Sequence, residues 1–205
     1  MGLLSRLKDF FRSLFSRKKE PVYRQESYPE REVPPSPERI CFHNVIFRDP
    51  FGNPGLTHEI DRIIVQRNGL FVIEDKDWRG DIYAYSEDQW LQVLGRGDIR
   101  HLHPSPIRQN ETHRAVLEGI LDDQEENYVI PVVVMKENNC PSGVYPQAIN
   151  RRDLEKFLQS HSSFDPELSE EEFQDLCAVI REQDCSSTVS IEQHVRNIRR
   201  NHPRG

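Results

Sequence analysis

The stretch Glu59 to Lys76 reads Glu-Ile-Asp-Arg-Ile-Ile-Val-Gln-Arg-Asn-Gly-Leu-Phe-Val-Ile-Glu-Asp-Lys. Two runs rich in β-branched residues, Ile60–Val65 and Leu70–Ile73, flank Asn68-Gly69. That dipeptide tolerates the positive φ angles of a type I′ turn, so the segment is expected to be a β-hairpin. A two-residue loop at Asn68-Gly69 pairs Arg67 with Leu70. Counting back puts Val65 opposite Val72, Ile63 opposite Glu74 and Asp61 opposite Lys76. Side chains alternate faces along a strand, so Asp61, Glu74 and Lys76 emerge on one side. Directly opposed Cβ atoms lie about 5 Å apart. Two carboxylates and an ammonium are therefore expected at one end of the hairpin, within reach of a single ion.

Such a trio suits phosphodiester hydrolysis. Two carboxylates hold a hard divalent cation, Mg²⁺ or Mn²⁺, that keeps several waters and takes a substrate phosphate as a further ligand. The cation lowers the pKa of a bound water and neutralises phosphoryl charge. A nearby lysine orients or deprotonates that water, or stabilises the transition state. The same spacing also fits a cross-strand Asp61–Lys76 pair on a solvated face, contributing less than about 1 kcal/mol.

The surrounding residues add a resemblance. Ile60-Asp-x-Ile-Ile-Val65, then Gly69-Leu-Phe-Val-Ile-Glu-x-Lys76, then Trp78-x-Gly80 and Trp90 resembles the nuclease-related domain family, part of the wider PD-(D/E)xK nuclease-like group. Ser105-Pro-Ile-Arg-Gln109 followed by His113 looks like that family's later Asn-Pro-x-x-Gln…His element. The resemblance covers roughly Ile40 to Met135. It implies that Asp61, Glu74 and Lys76 are catalytic, that Asp61 and Glu74 bind metal, and that Gln109 is an accessory catalytic residue. Members of the group often carry a further glutamate on a helix ahead of the first strand. Here Glu30, Glu32 and Glu38 stand among prolines that disfavour a helix. Asp75, between Glu74 and Lys76, is expected on the opposite face, where burial would require a partner such as Arg62 and exposure would require none.

The flanks differ from this middle. Residues 1–19 place Leu3, Leu7, Phe10, Phe11 and Leu14 at helical spacing among Arg6, Lys8, Arg12 and Arg17–Lys19. This pattern fits a basic amphipathic helix lying on an anionic membrane surface, and it is too short and interrupted to span one. A helix packed on its own domain or on a partner is the simpler alternative. Residues 20–38, with Pro21, Pro29, Pro34, Pro35 and Pro37, read as a charged linker. Residues 39–160 are expected to form the nuclease-like domain, and 161–205 a helical extension. Cys41, Cys140, Cys177 and Cys185 show neither paired nor zinc-finger spacing, which fits a reducing cytoplasm with peripheral contact at the inner membrane face.

Further elements follow in order. Arg39–Phe47 reads as the first core strand, with His58 as an exposed loop residue beyond it. Ile82–Tyr85 and Gln89–Leu94 read as strands, and Trp78 and Trp90 are expected to pack on the sheet rather than stack on bases. Arg96, Arg100, His101, His103 and Arg108 form a basic stretch, read as a loop able to position a phosphate backbone. Pro106–Leu121 is helical, with Gln109 and His113 on one face. Val129–Met135 is apolar throughout, as in a parallel strand buried on both sides. The fold class is thus α/β: a mixed central sheet with antiparallel hairpins and flanking helices, like a restriction-endonuclease core. Asp153–Ser160 reads as a short helix. Ser169 with Glu172 opens a helix to about Arg181, and Ser190 with Gln193 another.

Charge sets a limit. The formal total is −7, and residues 1–20 carry a net +4, leaving −11 on the rest. A strongly acidic body opposes tight non-specific binding to DNA, so a nuclease of this composition depends on local focusing at a metal-bearing site. The expected function is metal-dependent cleavage of nucleic acid, DNA ahead of RNA. The competing expectation is an inactive, membrane-associated interaction module of the same fold.

Overall fold

The structure, a computed structural model, describes residues 39–121, 128–141 and 145–188. The amphipathic segment 1–19, the linker 20–38 with Glu30, Glu32 and Glu38, and the helix expected from Ser190 lie outside the described residues. The elements run β1 (Arg39–Arg48), β2 (Thr57–Gln66), β3 (Gly69–Lys76), β4 (Asp81–Tyr83), β5 (Gln89–Leu94), β6 (Ile99–Pro104), α1 (Pro106–Ile120), β7 (Val129–Met135), β8 (Ala148–Asn150), α2 (Leu154–Ser160) and α3 (Glu170–Gln183). A five-stranded sheet has the order β1-β2-β3-β7-β8, and β4-β5-β6 form a separate antiparallel sheet. β1, β2 and β3 pair antiparallel, whereas β7 runs parallel to both β3 and β8. This is the mixed α/β core expected from the sequence.

The buried residues divide between two faces, with the strict alternation of β1 and β2 interrupted beside Asn44. On one face Val45, Phe47, Ile60, Ile63, Val65, Leu70 and Val72 pack with Val116, Leu117 and Leu121 of the α1 region and with Phe173, Leu176 and Ile180 of α3. On the other, Ile64, Phe71, Ile73, Val132 and Val134 pack with Leu154, Phe157 and Leu158 of α2. β3 and β7 lie between these layers, which is why their sequences are almost wholly apolar. α3 starts with a complete capping box: Glu172 N donates to Ser169 Oγ at 3.3 Å, and Ser169 N donates to Glu172 Oε2 at 2.7 Å.

The central hairpin is present, but its turn falls one residue earlier than expected. Gln66 pairs with Gly69, Val65 with Leu70, Ile63 with Val72 and Arg62 with Ile73. The loop is Arg67-Asn68, and neither Asn68 nor Gly69 has a positive φ. Contacts from outside the hairpin account for the shift. The Asn68 carbonyl accepts from Ser163 N at 2.9 Å, Phe164 N at 3.2 Å and Ser162 Oγ at 2.8 Å, and Leu168 N donates to Arg67 O at 2.7 Å. Gly69 serves close packing: a Cβ there would lie 2.8 and 2.9 Å from the Phe71 ring.

A slide of two residues preserves the face of every side chain. Asp61, Glu74 and Lys76 stay on one side, with Asp61 now in line with Glu74 instead of Lys76. The basic stretch is a second difference. Ile99–Pro104 is not a loop but edge strand β6, pairing Trp90 with His103 and Val93 with Arg100. Its polar and charged residues leave the strand almost entirely exposed, so hydrophobic alternation does not mark it.

Gly69→Ala should cost about 1–3 kcal/mol in urea unfolding, through crowding of the Phe71 ring. In a Phe71→Leu background most of that cost should vanish. An undiminished cost there would place the strain in the turn instead.

Candidate functional site

Glu74 ends the buried part of β3 and is 2% exposed. An isolated carboxylate at that depth would be strongly disfavoured in its charged form. It is met on both oxygens. Lys76, two residues further along the same face, places Nζ against Oε1, and Nζ also donates to Gln109 Oε1 at 2.9 Å. His113 Nδ1 lies 3.3 Å from Glu74 Oε2, with neither atom in a well-aligned hydrogen bond. Gln109 and His113 are one turn apart on α1. The helix is fixed to β3 by buried Asn110, whose Nδ2 donates to Val72 O at 3.1 Å. Burial pushes the Glu74 carboxyl up, but His113 and Lys76 outweigh it and hold it below its ordinary value.

Asp61 completes the corner from β2. Its Oδ2 accepts from Asp75 N at 2.8 Å, while Oδ1 has no hydrogen-bond partner among the described residues. The β1 residue opposite Asp61 is Asn44, at φ 50°, which interrupts the ladder between the His43–Arg62 and Val45–Ile60 pairs. Burial, then the neighbouring Glu74 charge, raises the Asp61 carboxyl above its ordinary value against the Asp75 N–H. Two carboxylates thus share one corner, and Asp61 resists ionising first because it is buried and then because Glu74 is charged.

This donor set fits a hard divalent cation. Asp61 offers an unused oxygen, Glu74 Oε2 is a buried oxygen lacking an aligned donor, and positive charge between them would relieve their repulsion. Among the described residues no group of three or more His, Cys, Asp or Glu side chains is placed to hold a metal. A cation held by Asp61 and Glu74 would therefore draw its remaining ligands from water and substrate, as Mg²⁺ commonly does.

A family model, the nuclease-related domain, matches residues 26–136, more than half of the chain. The chain belongs to the nuclease-related domain family. An uncharacterized protein of Bacillus anthracis is 25% identical over 161 residues, covering 76% of this chain and 72% of the relative. No solved structure matches.

The part matched by the family model contains β1 to β7 and α1, and so every residue of the corner. The structure brings Asp61, Glu74, Lys76 and Gln109 together. It adds His113, which shares a helix face with Gln109, and Asn110, whose burial the helical periodicity does not single out. Asp75 faces the other way: Arg62 Nη2 donates to its Oδ1 at 2.7 Å, and Arg62 Nε is 2.7 Å from Oδ2. Trp90 is fully buried, and Trp78 stacks on His103 with centroids 4.3 Å apart and Lys76 Nζ 5.6 Å from its ring. Two expectations change. His58 lies in β2, its Nε2 3.0 Å from Asp49 Oδ1, so it is neither exposed nor in a loop. Arg108, read as part of a basic loop, lies on α1 and pairs with Asp88 at 2.8 Å while staying exposed.

The two carboxyl groups should respond to pH with opposite signs. Glu74, held low, contributes stability that is present above about pH 4.5 and lost as pH falls through its folded value. Asp61, held high, contributes stability that is full below its ordinary 3.8 and lost as pH rises through its folded value. In urea unfolding from pH 3 to 7, Glu74→Gln should flatten the acid side, and Asp61→Asn should stabilise at pH 7 without metal. A destabilised Asp61→Asn at pH 7 would contradict the crowding of charge at this corner.

Proposed function

We propose that this chain is a divalent-metal-dependent nuclease that hydrolyses phosphodiester bonds of nucleic acid, DNA ahead of RNA. The observation that carries this reading is the convergence of Asp61, Glu74 and Lys76 on one corner, with Gln109 bound to the lysine. Asp61 and Glu74 would hold Mg²⁺ or Mn²⁺. When bound, such an ion supplies a more acidic water and neutralises charge on the phosphoryl oxygens.

The chain's own groups do the rest. Glu74 and Gln109 aim the Lys76 ammonium, which can orient the attacking water or stabilise the negative charge building on the phosphoryl oxygens. The water oxygen bonds to phosphorus as one P–O ester bond breaks. His113, 3.3 Å from the second Glu74 oxygen, helps keep that carboxyl ionised. Trp78, stacked on His103 beside Lys76, offers an aromatic wall at the edge of the site.

A second reading has one observation in its favour. Glu74 already meets two counter-groups without any metal, so the same corner would also serve as a structural ion cluster in an inactive interaction module. Residues 1–19 support peripheral attachment under either reading: their net charge is opposite to that of the body, and Leu3, Leu7, Phe10, Phe11 and Leu14 recur in the sequence at helical spacing. No helix among the described residues is long and apolar enough to cross a membrane.

Purified full chain should cleave DNA or RNA with Mg²⁺ or Mn²⁺ and stop on chelation. Asp61→Ala should abolish cleavage, and Lys76→Ala should slow it by about a hundredfold or more. Absence of metal-dependent cleavage across single- and double-stranded DNA and RNA would favour the interaction module. Flotation with anionic vesicles should depend on residues 1–19; equal partitioning after their deletion would reject the tether.

A further inference from the structure

The face of the large sheet away from Glu74 carries a second polar cavity, of about 480 Å³, lined by His43, Arg62, Asp75, Lys136, Arg151 and Glu155, among others. Alternation along the strands builds it. Asp75 and Arg62 are the immediate neighbours of Glu74 and Asp61, turned to the opposite side, and His43 pairs with Arg62 across β1 and β2. Lys136 follows β7, and Arg151 and Glu155 come from the chain entering and opening α2.

Its charges do not balance. Asp75 is held by Arg62, with both nitrogen–oxygen distances at 2.7 Å, and Lys136 reaches it only at 4.0 Å. Glu155 is held by Arg39, at 2.8 and 3.0 Å. Each anion of the wall thus has its own arginine. The Arg151 side chain has no hydrogen bond or ion pair among the described residues, so Arg151 and Lys136 are left as surplus cations on one cavity. The chain outside residues 1–20 carries −11, which makes this local excess stand out. The floor is built rather than floppy: the Asp75 side chain is 10% exposed and that of Arg62 20%.

We infer that this cavity is a binding site for a phosphate dianion, either free phosphate or the terminal phosphate of a nucleic-acid strand. Arg151, without a partner among the described residues, and Lys136, 4.0 Å from an Asp75 already held by Arg62, match a doubly charged ligand better than a single carboxylate. Guanidinium and ammonium donors suit tetrahedral phosphate oxygens. Leu154 is the one apolar side chain of the lining and the His43 imidazole its one ring, so charged groups dominate the contact surface. The site therefore recognises the phosphate group itself. It is separate from the Glu74 corner, and the inference does not depend on hydrolysis there.

Calorimetric titration of the full chain with inorganic phosphate tests this. Binding should weaken about tenfold in each of Arg151→Gln and Lys136→Gln, and should persist in Lys76→Gln. A 5′-phosphorylated oligonucleotide that outcompetes its 5′-hydroxyl twin for the same residues would identify the source as a strand end. Failure of both to compete would identify free phosphate, and equal competition would show backbone binding and overturn the assignment. No phosphate binding, binding unchanged in both Arg151→Gln and Lys136→Gln, or binding lost only in Lys76→Gln would overturn the assignment.

Discussion

The burial of one carboxylate, Glu74, constrains everything around it. A charge 2% exposed at the end of a central strand is tolerable only with counter-groups on its own face of the sheet. Lys76 comes from the same strand, two residues on. His113 has to come from above, which requires α1 to cross β3 at a fixed height. Asn110 sets that height by donating to the Val72 carbonyl. Parallel pairing of β7 with β3, on the sequence side of α1 that returns the chain to the sheet, then follows as a crossover connection.

The strand that carries Glu74 also separates two polar environments. Glu74 and Lys76 face α1, whereas Asp75 faces α2 and is held by Arg62. β2 repeats the division, with Asp61 on one side and Arg62 on the other. One hairpin end therefore supplies an acidic corner with one ammonium on one face and a cationic cavity on the other. Mixed charge of this kind in adjacent positions would be wasteful in an ordinary strand. It is intelligible where both faces emerge from the core at the same level.

Sequence reading reached the faces but not the register. Period-two alternation is unaffected by an even slide, so Asp61, Glu74 and Lys76 could be grouped although every predicted cross-strand pair was displaced. The turn itself was beyond local chemistry. Asn68-Gly69 has a strong hairpin preference, yet the Asn68 carbonyl is claimed by Ser162, Ser163 and Phe164, from far along the chain. β6 is not legible because it is an exposed edge whose apolar residues, Ile99 and Leu102, do not alternate. β7 and the α3 capping box, by contrast, were readable because their signals are local: an unbroken apolar run and a Ser-x-x-Glu spacing. The partnership of His113 with Glu74 needed the helix-to-strand distance, which no spacing rule contains.

We propose that Asp61 and Glu74 are paired for a cation rather than only for Lys76 and His113. Crystals of the full chain soaked in manganese and measured at a wavelength sensitive to that metal would answer this directly. An anomalous peak lying between the Asp61 and Glu74 carboxylates, and lost in Asp61→Ala crystals, is the expected result. A corner with no peak, and with Lys76 still seated on Glu74 at saturating manganese, would contradict it.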